Sequence, residues 1–201
     1  MSHYFVNDDK VASKPRNVVY SIIGVDFSLQ SDNGVFSKNE LDKGSELLIE
    51  TLLPTDLGRN LLDLGCGIGV IGLTLAYFHP TLNVCCTDVN TRALGLCNVN
   101  ANTLKLSQKV TVLQSDVYTK VEGKFDSIVS NPPIRAGKKV TYMIYKGALE
   151  HLNDNGSLYI VIRKQQGALS VKAYLEELFG NVTVLAREKG YYILKSSKTI
   201  K

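Results

Sequence analysis

Short apolar runs alternate with longer helical patterns along most of the chain. After residue 60 the pattern predicts strands at 61–64, 82–87, 110–114, 125–130 and 157–162. Helices are predicted between most of them, at 68–78, 91–104 and 140–152. Strands that are apolar throughout and joined by helices are typical of a parallel sheet with both faces covered. We therefore predict an α/β fold.

The two ends of the chain show different patterns. Residues 18–23 and 25–30 flank Gly24 and are predicted to form two short strands with a tight turn. Ser37-Lys38-Asn39-Glu40 fits a capping box, which predicts a helix from there to about residue 53. Near the C-terminus, a helix at 169–179 precedes a hairpin of 182–187 with 191–195 that would close one sheet edge. We expect one domain, with a β extension at 1–36 and the core at 37–201.

Charge and hydropathy narrow the class of protein only modestly. The net charge of +4 over 201 residues is compatible with an RNA partner but does not establish one. No apolar run reaches the roughly 18 residues that a membrane span needs. The N-terminus also has polar residues where a signal peptide needs an apolar core. We expect a soluble, cytoplasmic protein with no membrane partner, and the sequence leaves its oligomeric state unknown.

The cysteines suggest packing rather than chemistry. Cys66, Cys85, Cys86 and Cys97 show no metal-ligand or redox spacing, and the three histidines are scattered. Cys85 and Cys86 are adjacent in a predicted strand, so their side chains should point to opposite faces of the sheet. We expect reduced cysteines and no metal.

A glycine-rich loop joins the first parallel strand to its helix. In Asp63-Leu64-Gly65-Cys66-Gly67-Ile68-Gly69 the glycines permit a sharp turn and a close approach of a ligand to the backbone. The spacing differs from the G-x-G-x-x-G that cradles a pyrophosphate, although Gly72 could complete a looser match. The carboxylate of Asp63 would repel a pyrophosphate and attract an ammonium. The loop therefore favours a cofactor with an amino-acid portion.

Acidic residues end the next two strands. Asp88, followed by Val89, lies at about the 20-residue distance where an acid meets ribose hydroxyls. Asp116, followed by Val117, would accept a hydrogen bond from an adenine amino group. Taken singly, Asp88 could cap the helix near Asn90, and Asp116 could be a turn residue. Together with the loop, they outline S-adenosylmethionine.

Asn131-Pro132-Pro133 follows the fourth predicted strand. The prolines remove two backbone donors and fix two φ angles, which leaves rigid carbonyls free to accept. The asparagine side chain supplies a further acceptor. This suits an exocyclic amino group held by both protons while a sulfonium methyl is transferred to it. Alone, the motif is also a common turn.

Residues near this motif are candidates for contacts with the rest of a substrate. Ile134 could pack against a planar base, while Phe36 and Tyr142 are candidates to stack on one, though either could be a core residue. Basic residues that could neutralise RNA phosphates, or simply be solvated, are Arg135, Lys138, Lys139, Arg163 and Lys164. If the fourth and fifth strands are neighbours, these residues share one rim. A base must leave its stack to enter such a pocket.

Four segments together resemble a known family: Gly34-Val35-Phe36-Ser37, Leu41-Asp42-Lys43-Gly44-Ser45, the glycine loop and Asn131-Pro132-Pro133. The chain is similar to the small-domain methyltransferases that act on guanine N2 of ribosomal RNA, above all to those of 16S ribosomal RNA in a short single-domain form. Larger relatives carry an extra N-terminal domain that helps to bind RNA.

This resemblance implies a fold, a cofactor and a partner. It implies a class I methyltransferase fold, a Rossmann-like seven-stranded, mostly parallel sheet flanked by helices. It also implies S-adenosylmethionine as cofactor and ribosomal RNA or the 30S subunit as partner. Phe36, Ser37 and Asn131 would then lie against the cofactor.

Other functions stay open at this point. A protein glutamine-N5 methyltransferase acting on a release factor or ribosomal protein would use the same Asn-Pro-Pro chemistry on an amide. Ile134 and the basic residues count against it. A binding module without turnover and a nicotinamide oxidoreductase are weaker alternatives.

Overall fold

The computed structural model describes residues 11–36, 40–133 and 137–199. Ser37, Ile134 and Arg135, which the sequence nominated for the site, lie outside these described residues. The chain first forms an antiparallel pair, β1 (Arg16–Ile22) and β2 (Val25–Ser31). Ile23 and Gly24 join them with φ angles of 46° and 72°, as a two-residue hairpin turn requires. The predicted β extension is confirmed.

Most of the remaining strands and helices build one layered α/β unit. Its strands are β3 (Asn60–Leu64), β4 (Asn83–Asp88), β5 (Val110–Gln114), β6 (Phe125–Ser130), β7 (Leu152–Arg163), β8 (Thr183–Glu188) and β9 (Tyr191–Ser197). Among the residues that the structure describes, these seven form one sheet in the order β5-β4-β3-β6-β7-β9-β8. β9 runs antiparallel to both neighbours, and the other pairs are parallel. The predicted fold class and C-terminal hairpin are confirmed.

Helices cover both faces of this sheet. They are α1 (Lys43–Leu52), α2 (Val70–Phe78), α3 (Thr91–Thr103), α4 (Lys138–His151) and α5 (Ala168–Phe179). The core cluster on one face includes side chains of α1, α2 and α3, and the cluster on the other includes side chains of α4 and α5. Cys86 belongs to the first cluster and Cys85 packs on the second, which confirms their predicted alternation. Of the helices described, none is both long and apolar enough to span a bilayer.

The start of α1 differs from the prediction. Glu40 and Leu41 are not helical, and the helix begins at Lys43. Its N-cap is Asp42, whose carboxylate accepts from the backbone N–H of Ser45 at 3.0 Å. The capping-box prediction at residues 37–40 is therefore wrong about where the helix starts. A carboxylate bonded to the third helical N–H is a strong cap by itself, so the chain needs no earlier one.

The β1–β2 hairpin is fixed to the layered unit by side-chain hydrogen bonds. The Tyr20 hydroxyl lies 2.7 Å from the Thr74 hydroxyl on α2. Asn100 of α3 accepts from the backbone N–H of Gln30 at 2.7 Å and donates to its carbonyl at 3.1 Å. Arg92 of α3 donates to the Asn33 carbonyl at 3.0 Å. These contacts place Phe36, which follows the hairpin, beside the carboxyl edge of the sheet.

Candidate active site

A cavity of about 650 Å³ opens at the carboxyl edge of the parallel strands. The strand order reverses at β3, which has β4 on one side and β6 on the other, and open α/β sheets bind ligands at such a switch point. Residues that follow β3, β4, β5 and β6 line this cavity, together with the segment before α1 and the end of β7. The volume is typical of small-molecule sites.

The glycine loop forms one wall of the cavity. Gly65 and Gly67 have φ angles of 77° and 56°, and a Cβ added to either would meet nothing within 4 Å. The N–H groups of Gly65 and Cys66 both donate to the Thr87 carbonyl, at 2.8 and 2.9 Å. The loop is thus held from β4 and leaves open space beside its glycines, which fits a ligand lying close to the backbone. Gly69 serves packing, since its Cβ would lie 2.7 Å from the Cys97 sulfur.

Asp63 lies beneath this loop, and it is not among the residues that line the cavity. Its carboxylate is buried and accepts from the backbone N–H of Gly72 at 2.8 Å. The second oxygen has no hydrogen-bond partner among the described residues. Burial raises the pKa of Asp63 to about 8, against the opposing hydrogen bond from Gly72. This placement therefore does not support the expected direct contact between Asp63 and a cofactor ammonium. Asp63 instead joins β3 to α2 through its hydrogen bond to Gly72.

Asp88 lines the cavity at the end of β4, as predicted. Its two oxygens accept from the backbone N–H groups of Gly67 and Asn90, each at 2.9 Å. Burial raises its pKa, and these hydrogen bonds oppose the shift. A carboxylate offers about four lone-pair sites, so acceptor capacity remains for ribose hydroxyls. Asn90, rather than Asp88, caps α3 by accepting from the N–H of Ala93 at 3.1 Å.

The remaining cofactor candidates surround the same space. Val89, Asp116, Val117 and Cys66 all line the cavity. Asp116 is exposed at the end of β5, and the turn behind it is held by the Ser115 hydroxyl, which donates to the Val117 carbonyl at 3.0 Å. Phe36 also lines the cavity with 49% of its surface exposed, so its ring is available to a ligand.

Asn131, Pro132 and Pro133 line the cavity beside the glycine loop, because β6 pairs with β3. The amide nitrogen of Asn131 donates to the Asp42 carboxylate at 2.9 Å and to the Ser45 hydroxyl at 3.0 Å. Both amide hydrogens therefore have acceptors on the N-terminal end of α1. The amide oxygen has no donor among the described residues and is left to accept from a ligand. The structure thus places a free acceptor in the same cavity as the glycine loop.

The basic residues separate into two groups. Arg163 lines the cavity, with its guanidinium 4.7 Å from the centre of the Tyr191 ring, and Gln166 lines it as well. Lys138 and Lys139 are exposed on the first turn of α4, and Lys164 is exposed after β7, all three outside the cavity lining. Since β6 pairs with β7, both groups lie on the same edge of the sheet, as predicted.

Tyr142 is not placed to stack on a base in the cavity. Its ring centre lies 4.3 Å from that of Tyr174 and 5.9 Å from that of Tyr145, in an aromatic cluster of α4 and α5. An aromatic residue on the buried side of an amphipathic helix packs with its neighbours. Phe36 remains the candidate for stacking.

Asp42, Ser45 and Tyr191 line the cavity, although the sequence analysis assigned them no role there. Asp42 followed three residues later by Ser45 is a capping signal that could have been found. Its contact with Asn131 spans 89 residues, and nothing local in the sequence indicates it.

Three thiols meet behind the glycine loop. The sulfurs of Cys66, Cys86 and Cys97 lie within 4.8 Å of one another, and all three residues are buried. Burial raises the pKa of the Cys66 thiol. The sequence analysis found no ligand spacing because a loop, a strand and a helix each supply one sulfur. Structural zinc sites use four ligands, whereas this group supplies three.

The sheet is mostly parallel and has the strand order of a class I methyltransferase. A glycine loop follows β3, an acid ends β4, and Asn-Pro-Pro follows β6. Together, these features define that class of enzyme. A family model agrees with this assignment: the methyltransferase small domain matches residues 26–195, and the chain belongs to that family. The predicted class, an S-adenosylmethionine-dependent methyltransferase, is confirmed.

Individual relatives agree with the family. An uncharacterized protein of Bacillus subtilis, YbxB, is 43% identical over 198 residues, which is 98% of each chain. Ribosomal RNA small subunit methyltransferase C of Erwinia tasmaniensis is 37% identical over 171 residues, covering 83% of this chain and 48% of its own.

A solved structure shows the same likeness in three dimensions. It is the T. thermophilus 16S rRNA N2 G1207 methyltransferase in complex with AdoMet and guanosine, with a TM-score of 0.81 and 28% identity. The match covers 92% of this chain and 50% of that one. The chain therefore spans about half the length of the ribosomal RNA methyltransferases that it resembles.

Proposed function

We propose that this protein transfers a methyl group from S-adenosylmethionine to the exocyclic N2 amine of a guanine in small-subunit ribosomal RNA. One observation carries the proposal: the Asn131 amide nitrogen is bonded to Asp42 and Ser45, so the amide oxygen is free to accept from an amine. The relatives named for ribosomal RNA methylation support the choice of RNA, and the guanosine bound by the T. thermophilus enzyme supports the choice of base.

The cavity walls can be assigned to parts of the cofactor. Asp88 would accept from the ribose hydroxyls, while Val89, Asp116 and Val117 would enclose the adenine. The backbone of Gly65, Cys66 and Gly67 would lie against the methionine portion, since the space beside Gly65 and Gly67 is open. When bound, the cofactor supplies a methyl group on a positively charged sulfur. Phe36 would cover it from the side of the β extension.

The Asn131-Pro132-Pro133 segment would hold the amine. The Asn131 side-chain oxygen and the Pro132 carbonyl would each accept one N–H of the target amino group. Held by both hydrogens, the nitrogen presents its lone pair away from these acceptors, toward the methyl donor. Such positioning can lower the activation free energy by several kcal/mol even without a strong base. The same acceptors would stabilise the positive charge that develops on nitrogen.

The rim would bind the RNA around the target nucleotide. Arg163, Lys138, Lys139 and Lys164 share one edge of the sheet with the cavity, and their charges would neutralise phosphates. Because the acceptors lie inside a cavity, the base would enter flipped out of its stack. The same acceptors would also hold a glutamine amide, so the glutamine-N5 alternative is an outcome of the test.

The test supplies labelled S-adenosylmethionine with 16S ribosomal RNA, with 30S subunits and with a release-factor peptide. We expect label in RNA, and a loss of about 100-fold or more in kcat for Asn131→Ala with cofactor binding retained. Asn153→Ala is a matched control, because Asn153 also donates its amide to a carboxylate, Asp126, but at the other end of β6. Label in the peptide alone, or in the protein alone, would contradict the proposal.

A further inference from the structure

The segment Leu41-Asp42-Lys43-Gly44-Ser45 contributes to the family resemblance and supplies both hydrogen-bond acceptors of the Asn131 amide. It forms the N-terminal end of α1 and lies against Asn131. One oxygen of Asp42 accepts both from the Ser45 backbone N–H at 3.0 Å and from the Asn131 amide at 2.9 Å. The Ser45 hydroxyl lies 3.0 Å from the same amide nitrogen. Asp42 and Ser45 at the N-terminal end of α1 thus also contact Asn131 in the cavity.

These two contacts decide which way the Asn131 amide faces. A carboxylate only accepts hydrogen bonds, so the amide group facing Asp42 must be its NH2. The oxygen then faces away from α1. A flipped amide would place its oxygen against a carboxylate oxygen, and it would present donors to an amine that needs acceptors. Removing Asp42 and Ser45 would therefore remove the preference for the orientation that the reaction needs.

Gly44 allows this arrangement to assemble. A Cβ at Gly44 would lie 2.8 Å from the Tyr191 ring and 3.0 Å from the Asp42 carboxylate. Tyr191 is nearly buried and lines the cavity beside Asp42. The missing side chain lets β9 and the helix cap approach each other closely. Gly44 is consequently packed between the Asp42 carboxylate and the Tyr191 ring.

We propose that Asp42 and Ser45 are positioning residues for methyl transfer, because they hold the Asn131 amide with its oxygen toward the target amine. This inference rests on the proposed function, in which Asn131 accepts from that amine. It predicts that Asp42 acts on turnover through its acceptor oxygen, with no need for its charge.

The test compares kcat at saturating RNA and cofactor with the cofactor Kd measured by calorimetry. Asp42→Ala should lower kcat by about 10- to 100-fold, as a small misplacement of reacting groups does, and change the cofactor Kd less than twofold. Asp42→Asn should restore kcat to within about threefold of the native protein, because its side-chain oxygen can accept from both donors. Ser45→Ala keeps the Asp42 cap and should lower kcat about three- to tenfold, so the proposal is tested even where Asp42→Ala fails to fold.

Asp126→Ala is the matched control. Asp126 accepts from the backbone N–H groups of Arg59 and Asn60 at 2.9 and 3.0 Å and from the Asn153 amide at 2.8 Å. It therefore repeats the contacts of Asp42 at the opposite end of the sheet. This variant should lose stability and keep its kcat.

A double-mutant cycle separates positioning from a general structural effect. In the Asn131→Ala background, Asp42→Ala should cause little further loss of kcat, because its target is already gone. Additive losses would overturn the inference. So would an Asp42→Asn variant as inactive as Asp42→Ala, which would indicate that the charge itself takes part. If Asp42→Ala is fully active while Asn131→Ala is inactive, the positioning role is refuted and the proposed function stands. If Asn131→Ala is itself fully active, the proposed function is refuted as well.

Discussion

Because the Asp63 carboxyl is buried in the centre of the fold, the unfolding free energy depends on pH. The carboxyl is surrounded by β3, β4 and α2, with one hydrogen bond from Gly72. Its pKa of about 8 means that the native state keeps a proton which an unfolded chain, with its ordinary value of 3.8, releases. The resulting stabilisation is complete below about pH 3.8 and is lost as the pH rises toward 8.

Asp63→Asn should remove this dependence. The amide still accepts from Gly72 but does not titrate. Between pH 5 and 8, the unfolding free energy of the native protein should fall relative to the variant by about 1 kcal/mol per pH unit. Urea unfolding of both proteins at pH 5, 6.5 and 8 measures this difference. A difference that does not change with pH would show that Asp63 is ionised in the folded protein.

Gly65→Ala should impair cofactor binding specifically. Gly65 has a φ of 77°, and its Cβ would enter open space in the cavity. Gly123→Ala is the matched control, since Gly123 has a φ of 79°, equally open surroundings and no place in the cavity lining. Each alanine should lower the unfolding free energy by about 1–2 kcal/mol. We expect only Gly65→Ala to raise the Kd of S-adenosylmethionine, by about tenfold or more, as measured by calorimetry. Equal Kd values in the two variants would contradict the placement of the cofactor.

Local sequence predicted some site residues and missed others for a physical reason. Gly65 and Asn131 directly follow strands, Gly67 lies in the loop after β3, and Asp88 ends β4, so their place on one edge follows from strand direction. Asp42 contacts Asn131 because α1 packs against the sheet. Only the folded chain creates this contact. Asp63 was placed at the correct edge, but its burial beneath the loop could not be predicted from its position near the end of β3.

At the scale of elements, the β1–β2 hairpin is held by an aromatic cluster. Phe27 is 1% exposed, with its ring stacked 5.1 Å from Tyr20 and edge-on to Tyr77 at 5.2 Å. These contacts bury the inner face of the hairpin against α2. The hairpin leads directly to Phe36 and the cavity, so its attachment matters for the site.

Phe27→Ala should destabilise the fold by about 3–5 kcal/mol through the cavity that it leaves. Val19→Ala on the same hairpin is the control, because Val19 is 67% exposed and its loss should change stability by less than about 0.5 kcal/mol. Chemical denaturation gives both values. Similar losses in the two variants would contradict the packing of the hairpin on α2.

Element boundaries were predicted well where a hydrophobic pattern decides them and poorly where a cap does. The predicted and observed ranges of β5 and β6 coincide, because the apolar residues of each strand lie between clearly polar flanking segments. The start of α1 was misplaced because two capping signals lie close together, and only the contacts of Asp42 favour the second.

At the scale of the whole molecule, one edge of the sheet collects the cavity and the basic rim. The strand order follows from short connections and right-handed crossovers, which is why the fold class could be predicted from alternation alone. Whether the basic rim binds RNA could not be predicted in the same way, since exposed lysines look the same in sequence whether or not they meet a phosphate.

Replacing both Lys138 and Lys139 by glutamine should weaken RNA binding uniformly and reduce its salt dependence. Each lost phosphate contact lowers the slope of log K against log salt by about 1. Lys124→Gln is the control, because Lys124 precedes β6 at the opposite edge of the sheet. Filter binding at several salt concentrations measures the slopes. Equal slopes for the double variant and the control would place the RNA elsewhere.

We propose that a methyl donor and a guanine amine meet between the glycine loop and Asn131. The most direct measurement is the mass of nucleosides from small-subunit ribosomal RNA after reaction with trideuteromethyl-labelled S-adenosylmethionine. We expect labelled N2-methylguanosine with the native protein and none with Asn131→Ala. Label on another base, on another atom of guanine or only on protein would contradict it.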